Sequence, residues 1–531
     1  MDRALFASPR SSARLSAARA FLARQPRGAP VLVLSAHPDA GVGLLRSMAG
    51  SALSGQHGAT FGWERRTVGQ LATEIGGPRL ASQGRTVAGP LVLEALAARV
   101  VADAFARGRL GRFERVHDRP GLVRALARTG LELRLAGFTP AQVDAHDPVL
   151  GELLRALDAA RVEAGLADRA DLLAAASAGL TVRAAGGGAL VLLDLPLVHE
   201  AERLLVGALV DRSTAVFATA CAGAPELGAL SQLLGVTPTE SSEVKGSCLA
   251  ALQANLFAAD EATRDRGARP SDGTVEIRSA PGEARECTEV ARTLLRAAEQ
   301  GIPFERMAVL LRAPATYRPH LEEALRRAGI PASFARGAVR PDPAGRAFLA
   351  LLACADENLS ARRFAEYLSL GQVPRRVSPR DEAATSRWVP GDDELLPAVV
   401  ARRQFEAPEV EDGHLPAPRK WEALLVEAAV LGGHERWRRR LAGLDQGLVA
   451  RLAALEDDDQ KGPRGQALEN ERAHLAALTA FALPCIERLA ALPDLATWAA
   501  WIEQLGALAR QTLESPERVE SVLAELAPMG P

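Results

Sequence analysis

The stretch VEIRSAPGEARECTEVARTLLRAAEQGIPFERMAVLLRAPATYRPHLEEALRRAGIPASFARG, residues 275–337, decides the fold class. Val275 and Ile277 open a short predicted strand, and Glu283 to Glu299 carries apolar residues at helical spacing. Met307 to Leu311 is an uninterrupted apolar run bounded by Pro303 and Pro314, the pattern of a strand buried on both faces in a parallel sheet. A second helix runs toward Gly329, where Gly329-Ile330-Pro331 stops it. Strand, helix, strand, helix in that order predicts an α/β fold built on a parallel sheet.

The same grammar recurs toward the N-terminus. Pro30 to Leu34 reads as the first apolar strand, and a helix pattern follows from Gly43 toward Ala52. Ala59 to Trp63 reads as a second strand, leading through Arg65, Arg66 and Thr67 into a helix with Val68, Leu71 and Ile75 on one face. From Thr86 to Gly179 the pattern is all helical, with breaks at Gly108, Gly137 and Pro148; strands return at Leu190 to Leu193 and Thr214 to Ala218. The helical block therefore reads as an insertion in an α/β domain. After Ala350 the chain is helical again, interrupted by a Pro-rich, acidic stretch from Val377 to Pro418 and a charged loop from Glu456 to Arg464, both of which read as mobile.

Length and composition set the outer limits. A chain of 531 residues predicts three or four domains, and 48% hydrophobic with 24% charged residues is the balance of a soluble globular protein. No apolar run approaches the roughly 20 residues a membrane span needs. The Arg- and Ala-rich start, MDRALFASPRSSARLSAARAFLARQP, lacks the apolar core of a secretory signal. Five cysteines, at 221, 248, 287, 354 and 485, show no paired spacing, which argues against a disulfide framework or zinc motif and for a reducing cytoplasm. The net charge of −2 gives no global pull toward nucleic acid. Of the 63 basic residues only Lys245, Lys420 and Lys461 are lysines, so any DNA contact rests on local arginine patches.

The Gly282-Glu283-Ala284-Arg285-Glu286 helix start, the Ala308-Val309-Leu310-Leu311-Arg312 strand and the Gly-Ile-Pro turn at 329–331 together resemble the start of the second RecA-like domain of UvrD-type superfamily 1 helicases, and in particular of AddB-like helicase-nucleases. The resemblance is clearest over Val31 to Leu71, Leu190 to Ala220 and Thr274 to Leu352. It implies two RecA-like parallel-sheet domains, each with a mostly helical insertion: 1–85 and 181–270 for the first domain around the insertion 86–180, then 271–355 for the start of the second and 356–531 for its insertion, with the mobile loop at 377–418. It further implies DNA as partner, an AddA-like motor subunit, and a role in DNA repair and recombination. The family ends in a PD-(D/E)XK nuclease. Glu243-Val244-Lys245 and Asp459-Gln460-Lys461 match its acid-x-Lys fragment only by letter, in polar loops, so no nuclease domain is expected in this chain. It reads as a portion of a longer nuclease or as a shortened relative.

In this family the phosphate-binding loop would fall in VLVLSAHPDAGVGLLRSMA, residues 31–49. Such a loop needs glycines for close backbone approach, a lysine for the phosphate oxygens and a hydroxyl for magnesium. Gly41 and Gly43 are present, but Leu44 and Leu45 stand where lysine and Ser/Thr would. Asp194 matches the first acid of the magnesium-holding pair, Leu195 replaces the second, and Asp194 reads otherwise as a turn or helix-start acceptor. The expectation is a degenerate nucleotide site with no catalytic residue, no ATP or magnesium bound and no metal. Arg312 corresponds to the arginine that reaches the γ-phosphate in working helicases, and without nucleotide is expected to pair with a carboxylate.

For DNA the candidates are Thr60, Phe61, Arg65, Arg66 and Thr67, which match a phosphate-binding segment of the first helicase domain, and Tyr317 with Arg318 at the head of a helix. Phe61 and Trp63 read either as core or as a stacking platform. A rival from another class rests on Ala36-His37-Pro38-Asp39, which resembles the zinc motif of de-N-acetylases; its later acids are replaced by Ala40 and Gly41, and no downstream His-x-x-His supplies a third ligand.

Overall fold

The structure, a computed structural model, describes residues 2–26, 28–51, 62–182, 188–241, 247–256, 270–334, 342–374, 418–456, 460, 462–493 and 495–530. The chain divides into two compact units, Met1–Ala335 and Arg336–Pro531.

The first unit is built on a six-stranded sheet. Strands β1 (Asp2–Ala7), β2 (Val31–Ser35), β3 (Trp63–Arg66), β6 (Ala189–Leu193), β7 (Ala215–Ala220) and β8 (Thr239–Glu240) lie in the order β3-β2-β6-β7-β1-β8, and every pairing is parallel. A separate two-stranded sheet joins β4 (Thr86–Val87) to β5 (Leu166–Ala167). β6 shows why its sequence is continuously apolar. Val191 faces Phe21, Leu22 and Leu44 from helices α1 (Ser11–Ala23) and α2 (Pro38–Ser51), while Leu190 and Leu192 face the opposite layer. That layer is α3 (Val68–Ser82), α8 (Arg169–Val182), α9 (Glu200–Val210) and α10 (Pro225–Leu234). Both faces are covered, and each fully buried Val or Leu contributes roughly 1.5–3 kcal/mol.

Between β4 and β5 come α4 (Pro90–Ala106), α5 (Pro120–Leu135), α6 (Pro140–Asp144) and α7 (Pro148–Glu163). Each opens on a proline, whose missing N–H is no loss at a helix start. Their core is Val100, Val101, Leu126, Leu153 and Leu154. This insertion is tied back to α8 by charge: Arg134 donates to Asp158, Asp168 and Asp171, Arg161 reaches Asp158 and Asp171, and Arg85 pairs with Asp171. Asp168 is 3% exposed, so its carboxylate depends on those partners.

Beyond α11 (Cys248–Leu256), helices α12 (Glu283–Glu299) and α13 (Pro314–Arg327) pack as a pair around Cys287, Ala291, Leu321 and Leu325. Both helices lie where the periodicity places them. The two strands expected beside them do not form: residues 275–280 and 308–312 belong to no ladder, and Ile277 and Leu310 are each 94% exposed. The physical reason is that an apolar run becomes a strand only when another strand satisfies its backbone, and among the described residues none lies beside either segment. Two further corrections concern the first sheet. Its first strand is β1, not Pro30 to Leu34, and the strand expected over Ala59 to Trp63 begins only at Trp63, residues 59–61 lying outside the described residues.

The second unit is helical over its described residues, with helices Pro343–Asp356, Ala361–Ser369, Pro418–Glu427, His434–Ala453, Pro463–Ala490, Trp498–Thr512 and Glu517–Glu525. Phe364, Tyr367, Trp421 and Trp437 are buried at its centre, and Trp437 Nε1 donates to the Leu359 carbonyl at 2.8 Å. Helix Pro463–Ala490, 28 residues, is long and apolar enough by length and composition to cross a membrane, although no such run was expected from the sequence; its Leu475, Leu478, Ala482, Ile486 and Leu489 belong to this core. The stretch 377–417 lies outside the described residues.

Candidate functional site

In a doubly wound parallel sheet, the binding crevice lies outside the carboxyl ends of two neighbouring strands whose connections leave in opposite directions. Two neighbouring pairs meet this condition: β2 with β6, whose connections run through α2 to β3 and through α9 to β7, and β7 with β1. β1 runs through α1, across β7 and β6, to β2, whereas β7 runs through α10, past β1, to β8. α1 belongs to the face that buries Phe217 and α10 to the face that buries Val216.

A buried arginine lies at the carboxyl ends of β1 and β6. Arg14 is 9% exposed and lies on the same stripe of α1 as Ala18, Phe21 and Leu22. Its Nε donates to both carboxylate oxygens of Asp194, at 2.9 and 3.1 Å, and its Nη1 donates to the Ser8 carbonyl at 2.6 Å. Thr219 Oγ1 donates to Asp194 Oδ1 at 2.8 Å and accepts from the Asp194 N–H at 3.0 Å. Asp194 has φ 45°, in the left-handed region that Asp tolerates better than most residues. One guanidinium thus ties together the ends of β1, through Ser8, and of β6 and β7, through Asp194 and its bond to Thr219. Burial is the main cause raising the Cys221 thiol above its ordinary range, opposed by Arg14 and aided by Asp194 and Glu226, which leaves it a poor nucleophile at neutral pH.

The sequence led to a different turn. Gly41 and Gly43 follow β2, and both lie inside α2 instead of in a loop before it. Gly41 has a packing reason: a Cβ there would stand 3.3 Å from Ser35 Oγ and 3.3 Å from Arg65 Cβ. Asp194 is an acceptor, as read, but its partners come from α1 and β7 and not from its own turn. Sequence reading missed Ser8, Arg14 and Thr219. One signal was available: a single arginine on the apolar stripe of an Ala-rich helix needs a buried partner.

The DNA candidates are scattered. Thr60 and Phe61 lie outside the described residues. Trp63 is half-buried against the core of α1 and α2, the core alternative for that ring. Arg65 is exposed on β3, and its guanidinium has no hydrogen bond or ion pair among the described residues. Arg66 is engaged by Glu74 at 2.6 Å and Glu64 at 3.4 Å, and Thr67 caps α3 in a reciprocal box with Gln70. Tyr317 donates to Glu286 at 2.9 Å; Arg318 bonds Glu322 at 2.7 Å and stacks over Phe334. Arg312, expected to pair with a carboxylate, is exposed and has no partner among the described residues. His37 and Asp39 contact each other at 3.3 Å at the exposed start of α2, and no metal-sized cluster of three His, Cys, Asp or Glu occurs among the described residues.

Comparison of the chain with known protein-family models and with curated proteins finds no match to either.

Proposed function

We propose that this chain is the non-catalytic, helicase-like DNA-binding portion of an AddB-like DNA repair and recombination exonuclease, working in the cytoplasm with an AddA-like motor as partner. In this reading the six-stranded sheet is the first of two RecA-like domains, with α4 to α7 as its helical insertion, and the α12–α13 pair begins the second. The observation that carries it is the arrangement at the carboxyl edge of a doubly wound parallel sheet: the acid expected to hold magnesium is neutralised by Arg14, while Arg65, in the segment that resembles a phosphate-binding one, has a guanidinium with no partner among the described residues. Arg65, with Arg312 as a second guanidinium that has no partner among the described residues, supplies phosphate contacts without base readout, so the binding is independent of sequence.

Fluorescence anisotropy of labelled single-stranded and duplex oligonucleotides tests it. Affinity is expected to fall steeply between about 50 and 200 mM salt as counterions are released, and Arg65→Ala is expected to lower the salt slope by about one. Flat isotherms for both DNAs at low salt would remove the proposal.

A further inference from the structure

We propose that Arg14 is a built-in counter-ion, which takes the place of a soluble cation beside Asp194 at the carboxyl end of β6 and thereby closes that carboxylate to a divalent metal. A divalent cation would need the oxygens of Asp194, and both accept from Arg14. The Asp194 carboxylate therefore does not fit the magnesium that the family resemblance implies there.

The device goes beyond a missing lysine. Arg14 projects from the buried stripe of α1 and cannot swing out without unpacking Ala18, Phe21 and Leu22 from the sheet. Its fork satisfies two strand ends at once, a geometry a compact ammonium cannot copy. The carboxyl ends of β1 and β6 are thus joined by the chain itself.

Thermal melts of the full chain, taken without DNA so that the result is separate from the DNA reading, test this. Arg14→Ala is expected to lower the midpoint by about 5–10 °C, since it leaves the Ser8 carbonyl and Asp194 without their donor. About 20 mM guanidinium chloride is expected to recover part of that loss, relative to the same concentration of sodium chloride, because the ion matches the deleted group. Magnesium with ATP is expected to move neither protein. Arg14→Ala melting with the wild type, a loss that guanidinium does not touch, or a loss that magnesium and ATP repair would each overturn the proposal. Should Arg14→Ala not fold, Arg14→Lys is expected to melt between 2 and 8 °C, roughly, below wild type, and a Lys variant as stable as wild type would count against the fork. A rise in the wild-type midpoint with magnesium and ATP overturns the proposal without any variant.

Discussion

Ala189–Leu193 reads ALVLL and residues 307–311 read MAVLL, near twins in composition; the first is the middle of a sheet with every residue buried, and the second joins no sheet, with Leu310 94% exposed. β6 has β2 on one edge, β7 on the other and helices over both faces. Residues 307–311 meet the core of α12 and α13 through Leu311 and have no strand partner among the described residues. The lesson is that an apolar run encodes a demand for burial, and only tertiary neighbours decide whether the demand is met as a strand.

The comparison can be broken most forcefully with charge. Val191→Asp puts a carboxylate at a fully buried position and is expected to destabilise the first unit by about 4 kcal/mol or more, whereas Leu310→Asp is expected to stay within about 0.5 kcal/mol. Urea midpoints measure both, and a Leu310→Asp loss of comparable size would mean that residues 307–311 are buried in solution. Truncation sharpens the same contrast. Leu192→Ala is expected to cost about 3 kcal/mol through lost transfer energy and a cavity, and Leu310→Ala close to nothing.

A smaller effect comes from pH. Burial alone would raise the Asp168 carboxyl, but the charge of Arg134, the Asp171 N–H and Arg161 outweigh it and hold it below the ordinary carboxylate range. The folded value is depressed, so this stabilisation is fully present above the unfolded value near 3.9 and is lost as pH falls through the folded one. Urea midpoints of the first unit should therefore drop below about pH 4, and Asp168→Asn, already less stable at neutral pH, should show a shallower drop. Smallest is the cap of α3. Thr67→Ala removes one half of a capping box and is expected to cost about 1 kcal/mol, while α12, which starts at Gly282 with no side-chain cap, offers no equivalent contact to lose.

How much was legible follows from the same physics. β2, β6 and β7 stand out as apolar runs between turn residues, and α12 and α13 carry helical periodicity that survives in the structure. β1 did not stand out, because Ala4, Leu5 and Phe6 are short and sit inside an Arg- and Ala-rich leader. Strand order is not written in any local pattern, so nothing in the sequence showed that the end of β1 lies beside the end of β7. Arg14 was hidden for a related reason: its partners Ser8 and Asp194 are 6 and 180 residues away, and only the lateral order brings them together.

The central claim is that the carboxyl edge of the first sheet is held by the chain itself and grips DNA without a nucleotide. Anisotropy of a labelled single-stranded oligonucleotide against the full chain at low salt, with and without magnesium and ATP, tests it most directly. The account predicts salt-sensitive binding whose Kd is the same within about twofold in both conditions. Absence of binding, or a roughly tenfold change in Kd when magnesium and ATP are added, would contradict it.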